Sequence, residues 1–272
     1  MNELLLSIQD LKIINRSEES HLLKKVHLEI KKGEIVGLIG ESGSGKSLTA
    51  KAIMRLLSQD LKAKGQILFK NEDISKWTSR THRKKLGNEI GYIFQDYRSS
   101  FTPYIKIGKQ IVETICAHQK IRKKEAQDLA IQSLHIMGLD SKRVYQSYSF
   151  QLSGGQVQRA AIAMALALKP ALLICDEITT ALDVLNGEKV LHYLDQLRNE
   201  TGCSVLMITH DLTKAYKWTD RMYVMQQGEI VEEGLPEEIR CHHKHPYTKK
   251  LCSCLLALPE DPSIKKERLV TI

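Results

Sequence analysis

The sequence predicts an α/β fold with an all-helical insertion, and three observations support this. Short apolar runs typical of buried strands recur at 35–39, 171–175 and 204–208. Helical patterns dominate between 96 and 167. Two further short strands, at 223–225 and 230–231, flank a Gln-Gln-Gly-Glu turn and predict a closing hairpin. Strands and helices that alternate around a helical insertion predict an α/β core with a helical subdomain.

The first hundred residues predict a β-rich start and then a strand–turn–helix unit. Residues 8–14 and 26–30 alternate enough to indicate paired antiparallel strands with a polar loop between them. The apolar run 35–39 ends at Gly40, as a buried strand does at a tight turn, and 48–57 carries helical periodicity. We divide the chain into a first part of the core with a β subdomain (1–95), a helical subdomain (96–167), a second part of the core (168–235) and a C-terminal tail (236–272).

Composition indicates a globular protein outside the bilayer. Of the 272 residues, 42% are hydrophobic and 26% are charged. No apolar run approaches the roughly 18 to 20 residues that cross a bilayer, and the most apolar stretch, 160–168, predicts a buried helix. No secretory signal is visible, so we expect a cytoplasmic protein. The net charge of +8 suits a nucleic-acid binder or a protein beside an anionic membrane, and it does not separate the two.

The cysteines show no disulfide framework. We expect reduced thiols, buried at Cys116, Cys175 and Cys203. Several possible metal ligands cluster in the C-terminal tail. They are Cys241, His242, His243, His245, Cys252 and Cys254. An exposed tail without metal is the preferred interpretation of this cluster, and a bound metal is the alternative.

A glycine-rich segment between the predicted strand 35–39 and the predicted helix 48–57 matches the P-loop pattern G-x-x-x-x-G-K-[ST]. Its residues are Gly40, Glu41, Ser42, Gly43, Ser44, Gly45, Lys46 and Ser47. Glycines let successive N–H groups turn inward around phosphate oxygens, and the helix that begins near Lys46 adds its positive dipole end. Lys46 would reach the β- and γ-phosphates, and the Ser47 hydroxyl would ligate Mg²⁺. Kinases, GTPases and many motors share this segment, so it indicates only nucleotide phosphate binding.

The strand predicted at 171–175 runs into two acidic residues, Asp176 and Glu177. A carboxylate at a strand end beside a P-loop can hold Mg²⁺ through its water shell, which is the role expected of Asp176. Glu177 would then orient or deprotonate an attacking water. Taken alone, two acids after a strand more often form a helix N-cap than a catalytic site, so the rest of the chain has to decide.

The segment LSGGQ at 152–156 decides the family. Here the sequence resembles the ATP-binding cassette (ABC) family, whose defining signature is LSGGQ, and a serine with two glycines at a helix start exposes N–H donors to an anion. The resemblance implies a P-loop NTPase (RecA-like) core with an antiparallel β subdomain and an inserted helical subdomain, which hydrolyses ATP with Mg²⁺. It also implies that the signature residues bind the γ-phosphate of ATP held by a second cassette. Those residues are Ser153, Gly154, Gly155 and Gln156.

Three smaller matches follow in the family's order. Gln95 falls at the Q-loop, which the resemblance implies senses Mg²⁺ and the attacking water. Ala181-Leu182-Asp183 resembles the D-loop, with Asp183 crossing a dimer interface. His210 resembles the switch histidine that contacts the γ-phosphate, although a lone histidine after a strand is usually structural. The implied catalytic residues are Glu177, His210 and Gln95, and the implied Mg²⁺ ligands are Ser47, Gln95 and Asp176.

Segments 94–96, 99–103 and 107–110 resemble importer cassettes of the oligopeptide, dipeptide and nickel group, as does His245-Pro246-Tyr247-Thr248. That last segment also suits a simple turn before a helix. The resemblance implies a second, different ATPase subunit, two transmembrane permease subunits and a substrate-binding protein, with this chain on the cytoplasmic face of the membrane. The ATPase does not touch the cargo. We prefer oligopeptides or dipeptides, and nickel or a metal chelate stays open.

Two positions depart from the family pattern. Ile178 stands where a proline usually follows the catalytic glutamate, which would loosen that turn without removing a chemical group. Asn15 or its neighbours occupy the place of the aromatic residue that stacks on adenine, and His21 is the only ring nearby. We therefore expect weaker stacking on the base, or stacking by another residue.

A different class of function is an ABC-type ATPase that acts on DNA or ribosomes. The DNA-acting kind inserts a long coiled coil between P-loop and signature, and the span 47–152 is too short and lacks heptads. The ribosome-acting kind carries two cassettes in one chain, and one is present here. We therefore expect no nucleic-acid partner, and hydrolysis stimulated by nucleic acid would revive this alternative.

Overall fold

One mixed sheet organises the molecule, whose computed structural model describes residues 3–180 and 182–253. The strands of this sheet are β1 (Leu4–Asn15), β2 (His21–Lys31), β3 (Ile35–Ile39), β4 (Leu61–Phe69), β5 (Glu72–Asp73), β6 (Ile90–Ile93), β7 (Leu172–Asp176), β8 (Ser204–Thr209), β9 (Arg221–Gln226) and β10 (Glu229–Gly234). Their order across the sheet is β5-β4-β1-β2-β10-β9-β3-β8-β7-β6. The α/β fold class is confirmed.

The helices lie between these strands in the chain or follow the last strand. They are α1 (Lys46–Ile53), α2 (Ser79–Lys85), α3 (Ile107–His118), α4 (Lys123–Ile136), α5 (Ser141–Gln146), α6 (Gly154–Ala167), α7 (Val184–Thr201), α8 (Leu212–Trp218), α9 (Pro236–Cys241) and α10 (Pro246–Ser253). Within the described ranges, these helices are too short or too polar to cross a bilayer.

The central strands form a parallel sheet that is buried on both faces. β3 pairs with β8 and β9, β7 pairs with β6 and β8, and all these pairs are parallel. Every residue of β3, β7 and β8 is buried, which explains why their sequences are continuous apolar runs without alternation. The carboxyl ends of parallel strands lie at one edge of a sheet, which is where α/β proteins bind ligands.

The antiparallel part of the sheet is built on β1, which pairs with β2 on one side and β4 on the other. The predicted first pair of strands and the predicted β9–β10 hairpin are both present. β4, β5 and β6 were not predicted. In β4 only Ile67 and Phe69 are buried, because the strand carries exposed polar residues over most of its length and so lacks an alternating pattern.

The segment between β6 and β7 contains α3 to α6, which pack on one another through a shared apolar core. Ile111, Leu134 and Ile162 are fully buried in it. The long helix α6, predicted as buried from 160–168, extends from this core to the edge of the parallel sheet, where it contacts β6. The four helices therefore position the start of α6 relative to the sheet.

Three expectations from the sequence need correction. The helix after the P-loop is shorter than predicted, because Arg55 adopts a left-handed backbone (φ 52°) just beyond Ile53. Cys116 is exposed, whereas Cys175 and Cys203 are buried as predicted. Residues 236–253 are not an exposed tail, because α9 and α10 fold back onto the core and bury Tyr247 and Cys252.

Candidate functional site

The P-loop leaves β3 and enters α1 through a tight turn that only glycine fits. Gly40 has φ 152°, and a Cβ there would overlap the carbonyl oxygen of Met225 in the neighbouring strand β9. Gly45 precedes α1 with φ 110°. The first N–H groups of α1 have no intrahelical acceptors, so they remain available to an anion.

Lys46 is buried beneath this turn. Its Nζ donates to the carbonyl oxygens of Gly40 (2.8 Å) and Glu41 (2.7 Å). Burial lowers the pKa of the Lys46 ammonium, and the nearby carboxylates of Glu177 and Asp176 oppose this shift. A polyanionic phosphate in the same place would favour the charged form further.

Asp176 lies at the end of β7, directly opposite the start of α1. Its Oδ1 accepts from the Ser47 hydroxyl at 3.0 Å, and its Oδ2 accepts from the Tyr92 hydroxyl at 2.8 Å. Burial, together with the charge and the hydrogen bond of Asp176, raises the pKa of Tyr92, which keeps this phenol protonated as a donor. The structure thus brings two of the three predicted Mg²⁺ ligands, Ser47 and Asp176, into contact and adds Tyr92, which the sequence did not single out.

Glu177 is the meeting point of the three predicted catalytic side chains. Its Oε2 accepts from Gln95 Nε2 at 2.8 Å, and its Oε1 lies 3.2 Å from His210 Nδ1. Since an ionised carboxylate only accepts, His210 Nδ1 is the donor in this pair. Glu177 has a left-handed backbone (φ 51°) and its carbonyl accepts from the Thr180 hydroxyl at 2.7 Å, which fixes the turn that presents the side chain.

A cleft of about 580 Å³ opens in front of these groups. This volume lies within the range of roughly 300–1,000 Å³ that is usual for small-molecule sites. P-loop residues line it together with Gln95, Glu177 and His210. Leu22, which is 37% exposed, lines it too, whereas Asn15 and His21 do not. Among the described lining residues there is no Phe, Tyr or Trp, so Leu22 and Leu48 are the apolar residues available to a base.

The signature segment lies at the start of α6 and does not line this cleft. The Ser153 hydroxyl accepts from the Gln156 N–H at 3.3 Å, and Gln156 Oε1 accepts from the Ser153 N–H at 3.0 Å. This reciprocal pair is a capping box, which explains locally why a helix begins here. Gly154 and Gly155 form the first turn of α6 between the two capping residues.

The segment resembling the D-loop follows Glu177 and leads into α7; Ala181 lies outside the described residues. Asp183 caps α7 by accepting from the Asn186 N–H at 2.9 Å. The backbone and side-chain hydrogen bonds from Asn186 hold the pKa of Asp183 below its usual range. Val184 and Leu185 follow at 76% exposure each, so this turn presents an apolar surface to the outside of the chain.

Gln158 links the signature helix to the turn after Glu177. It is buried in α6, and its Nε2 donates to the carbonyl oxygen of Ile178. Ile178, the residue that replaces the family's proline, is itself buried. The sequence suggested a looser turn at Ile178, but this hydrogen bond holds the turn. A glutamine on the apolar side of α6 is the sequence feature that could have predicted the contact.

The histidines and cysteines of the C-terminal segment do not converge. Over the described residues, no three His, Cys, Asp or Glu side chains are arranged as a metal site. Cys254, which belongs to the predicted cluster, lies outside the described residues. Two members of the cluster have other roles, since Cys252 bonds the Tyr216 hydroxyl and His245 Nδ1 accepts from the Tyr247 N–H.

Comparison with known families gives a match over residues 23–180, more than half of the chain, to the family described as ABC transporter. The chain belongs to the ABC transporter family. The resemblance found in the sequence is confirmed, and the chain is an ATP-hydrolysing subunit of such a transporter.

Curated relatives within the ABC family include three ATP-binding proteins of transport or import systems. The oligopeptide transport ATP-binding protein OppD of Bacillus subtilis (strain 168) is 40% identical over 98% of this chain and 75% of its own length. The nickel import system ATP-binding protein NikD of Staphylococcus aureus (strain MRSA252) is 40% identical over 94% and 98%. The metal-staphylopine import system ATP-binding protein CntD of Staphylococcus aureus (strain Mu50 / ATCC 700699) is 38% identical over 92% of each chain.

Solved structures of ABC cassettes have the same fold. The ATP-binding cassette MJ0796, in a dimeric post-hydrolysis state bound to ADP and Pi, superposes with a TM-score of 0.77 at 30% identity, over 85% of this chain and 99% of that one. The cbiO1 protein of Clostridium perfringens, part of the ABC transporter complex cbiONQ, superposes with a TM-score of 0.74 at 26% identity, over 87% and 90%. The P-loop NTPase core expected from the sequence is confirmed.

Proposed function

We propose that this chain powers an importer of oligopeptides or dipeptides by hydrolysing ATP at the cleft between the P-loop and Glu177. The observation that carries the hydrolytic part is the convergence of Gln95 and His210 on the two carboxylate oxygens of Glu177. The importer part is supported by NikD and CntD, which are named as proteins of import systems, and the transport role also by OppD, which is named as an oligopeptide transport protein. The peptide part is supported by OppD alone.

The cleft fits an ATP triphosphate. Residues 40–47 would wrap the phosphates, with Lys46 exchanging its present carbonyl partners for β- and γ-phosphate oxygens. The donors fit Mg²⁺ as well, because the Ser47 hydroxyl and an Asp176 carboxylate oxygen lie 3.0 Å apart, and hard oxygen ligands are what this ion prefers. Gln95 would supply a further oxygen. Mg²⁺ would neutralise charge on the phosphates.

Glu177 would act on the attacking water. Its carboxylate is positioned by a donor on each oxygen, so both its orientation and its hydrogen-bonding capacity are set before water arrives. With Nδ1 of His210 donating to Glu177, the other ring nitrogen, Nε2, would donate to the γ-phosphate in the imidazolium form, because a neutral ring carries only one N–H. Gln95 would report the state of the cleft to the helical segment 96–167, which we continue to treat as a separate subdomain.

Ser153, Gly154, Gly155 and Gln156 would serve ATP on a second cassette, and Asp183 would lie at the interface between the two. This is supported by the position of the capped start of α6 away from the chain's own cleft. We propose two permease subunits as further partners, on the cytoplasmic face of the membrane, together with a substrate-binding protein. Phe94, which precedes Gln95 in the chain, and Tyr104 are 43% and 86% exposed and offer these partners aromatic side chains.

A nickel or metal-chelate importer is the second candidate. NikD and CntD cover 98% and 92% of their own lengths in the match, whereas OppD is covered over 75%. The residues of this chain do not identify the cargo, because the predicted nucleotide cleft and the cargo path belong to different subunits. The transport assay therefore has to include both kinds of cargo.

Uptake of a labelled oligopeptide and of labelled nickel, in cells carrying wild-type or Glu177→Gln protein, tests the proposal. We expect peptide uptake to be lost in Glu177→Gln cells, with nickel uptake unchanged. Glu200→Gln, an exposed change on α7, is the matched control and should transport normally. Loss of nickel uptake alone would establish the second candidate. If neither cargo is affected, or if DNA or RNA stimulates hydrolysis by the purified chain, the importer proposal is wrong.

A further inference from the structure

The C-terminal segment reaches back to the P-loop. Tyr247, in the first turn of α10, is buried, and its hydroxyl accepts from the backbone N–H of Glu41 at 2.9 Å. The two residues are 206 positions apart in the sequence. Glu41 is the second residue of the P-loop, so this hydrogen bond acts on the loop itself and not on the surrounding scaffold.

The other polar backbone group of Glu41 is held as well. Its carbonyl oxygen accepts from Lys46 Nζ at 2.7 Å and from the Ser44 N–H at 3.2 Å. On the far side of the turn, the Ser44 carbonyl accepts from the Gly228 N–H at 2.9 Å. Among these contacts, only the bond to Tyr247 holds the P-loop from the C-terminal segment.

The segment before Tyr247 is anchored by one carboxylate. Glu232 in β10 accepts from the Lys244 N–H (2.6 Å) and the His245 N–H (3.1 Å), and His245 Nδ1 accepts from the Tyr247 N–H (3.2 Å). Burial alone would raise the pKa of Glu232, but the hydrogen bonds from the Lys244 and His245 N–H groups oppose this shift, and the pKa is held below its usual range. Glu232 therefore stays ionised and fixes the turn that leads into α10.

The other end of α10 is anchored separately. Cys252 is buried, and its Sγ lies 3.1 Å from the Tyr216 hydroxyl in α8. Because both ends of the helix are fixed and the ring of Tyr247 is buried between them, the phenol oxygen has little freedom to move away from Glu41. A rigidly held acceptor of this kind orders its donor before a ligand binds.

We propose that Tyr247 is a positioning residue for ATP binding, which holds the start of the P-loop in its binding conformation through the Glu41 N–H. The proposal rests on the phosphate-binding role proposed above for residues 40–47. It gives His245-Pro246-Tyr247-Thr248 a physical task beyond forming a turn before a helix. ATP binds more tightly because part of the ordering cost of the loop has already been met.

Tyr247→Phe tests this with the least change in packing, because it removes the hydroxyl and keeps the ring. We expect the KM for ATP of the assembled transporter, and the Kd of the full chain, to rise about twofold to tenfold, the range for one net hydrogen bond. The kcat should change less than the KM, since the contact is made before and during the reaction alike. An unchanged Kd and KM would overturn the proposal.

Tyr216→Phe is the matched control, since it removes another partly buried hydroxyl of the same region that bonds Cys252 and not the P-loop. Because the Tyr216 hydroxyl bonds only the far end of α10, this variant should raise the ATP Kd less than Tyr247→Phe does. A Kd that rises equally in both variants would show a general loosening of the C-terminal segment and overturn the specific role of Tyr247. Lys46→Ala serves as the reference. If Lys46→Ala binds ATP as tightly as wild type, the phosphate-binding role proposed for the P-loop is wrong. If Lys46→Ala loses ATP affinity and Tyr247→Phe does not, only the role proposed for Tyr247 is wrong.

Hydrogen exchange provides a readout that remains informative if Tyr247→Phe also lowers stability. Below the unfolding transition of both variants, deuterium uptake of a peptide covering 40–47 should be faster in Tyr247→Phe than in wild type or Tyr216→Phe. Glu232→Gln should give a smaller increase in the same peptide, because an amide still accepts hydrogen bonds but carries no charge. Equal uptake by that peptide in Tyr247→Phe and wild type would contradict the proposal.

Discussion

Two regions of this chain present N–H groups at a helix start, and they are built differently. The P-loop side is assembled from three separate segments of the chain, because Asp176 of β7 bonds both Ser47 of the P-loop and Tyr92 of β6. The signature side bonds mainly to itself, because Ser153 and Gln156 cap each other across one turn. The P-loop side is a cleft that includes the carboxylate of Glu177 in its lining. The signature side is a capped helix start away from that cleft.

The difference shows which half of the chemistry the chain can supply alone. Phosphate binding and the placing of water need groups that come from distant segments, and the fold brings these together at the carboxyl ends of β3, β7 and β8. The signature side has helix N–H groups and an exposed apolar turn at Val184 and Leu185, but no carboxylate within its capping box. We infer that it completes a site on another molecule.

Glu177→Gln should give the largest effect, on the P-loop side. The amide keeps the shape of the side chain and removes the acceptor for a proton, so we expect the kcat of the assembled complex to fall by about 100-fold or more. ATP should still bind to the full chain. Steady-state hydrolysis with Glu200→Gln as control checks this. If Glu177→Gln hydrolysed ATP at the wild-type rate, Glu177 would have no role in the reaction.

Lys46→Ala should reduce ATP affinity of the full chain by about 100-fold, because two charge-assisted hydrogen bonds to phosphate are lost. Lys51→Ala, a change on the same helix and outside the cleft, is the control and should bind as the wild type does. Equilibrium titration with a fluorescent ATP analogue measures both. A similar loss in the two variants would point to an effect of net charge and not of the P-loop.

Ser153→Ala should lower turnover of the assembled complex while the chain stays folded. The lost cap costs about 1 kcal/mol of stability, as N-cap serines typically do. Thr78→Ala, which removes the hydroxyl that caps α2, provides the comparison. Calorimetry should show similar small decreases in Tm for both, and only Ser153→Ala should slow hydrolysis. Equal hydrolysis rates would leave the signature segment with a structural role alone.

The smallest expected effect concerns pH on the signature side. Hydrogen bonds from Asn186 lower the pKa of Asp183 in the folded state. A carboxyl group with a lowered folded pKa contributes stability above its unfolded pKa, about 3.9, and this contribution is lost as pH falls through the folded value. Asp183→Asn should therefore show a shallower decrease in Tm than wild type between pH 5 and the acid limit of folding. If the Tm of wild type and of Asp183→Asn fell in parallel below pH 5, this prediction would be wrong.

The sequence was enough to predict those parts of the candidate site whose structure depends on residues close together in the chain. The P-loop, the acidic pair after β7 and the LSGGQ segment are short patterns, each with a local structural cause, and the fold class followed from the apolar runs between them. Tyr92 and Tyr247 were missed as site residues because their partners lie 84 and 206 positions away. β4 was missed because its exposed polar residues hide the strand period. Burial of the C-terminal segment depends on contacts that no local pattern reveals.

The most direct measurement titrates ATP into the isolated full chain of wild type, Lys46→Ala and Ser153→Ala in parallel. The account predicts that Lys46→Ala loses affinity and that Ser153→Ala binds as tightly as wild type, because the signature segment does not line the chain's own cleft. If Ser153→Ala weakened ATP binding to the isolated chain as much as Lys46→Ala did, the two regions would serve one site, and the central claim would be wrong.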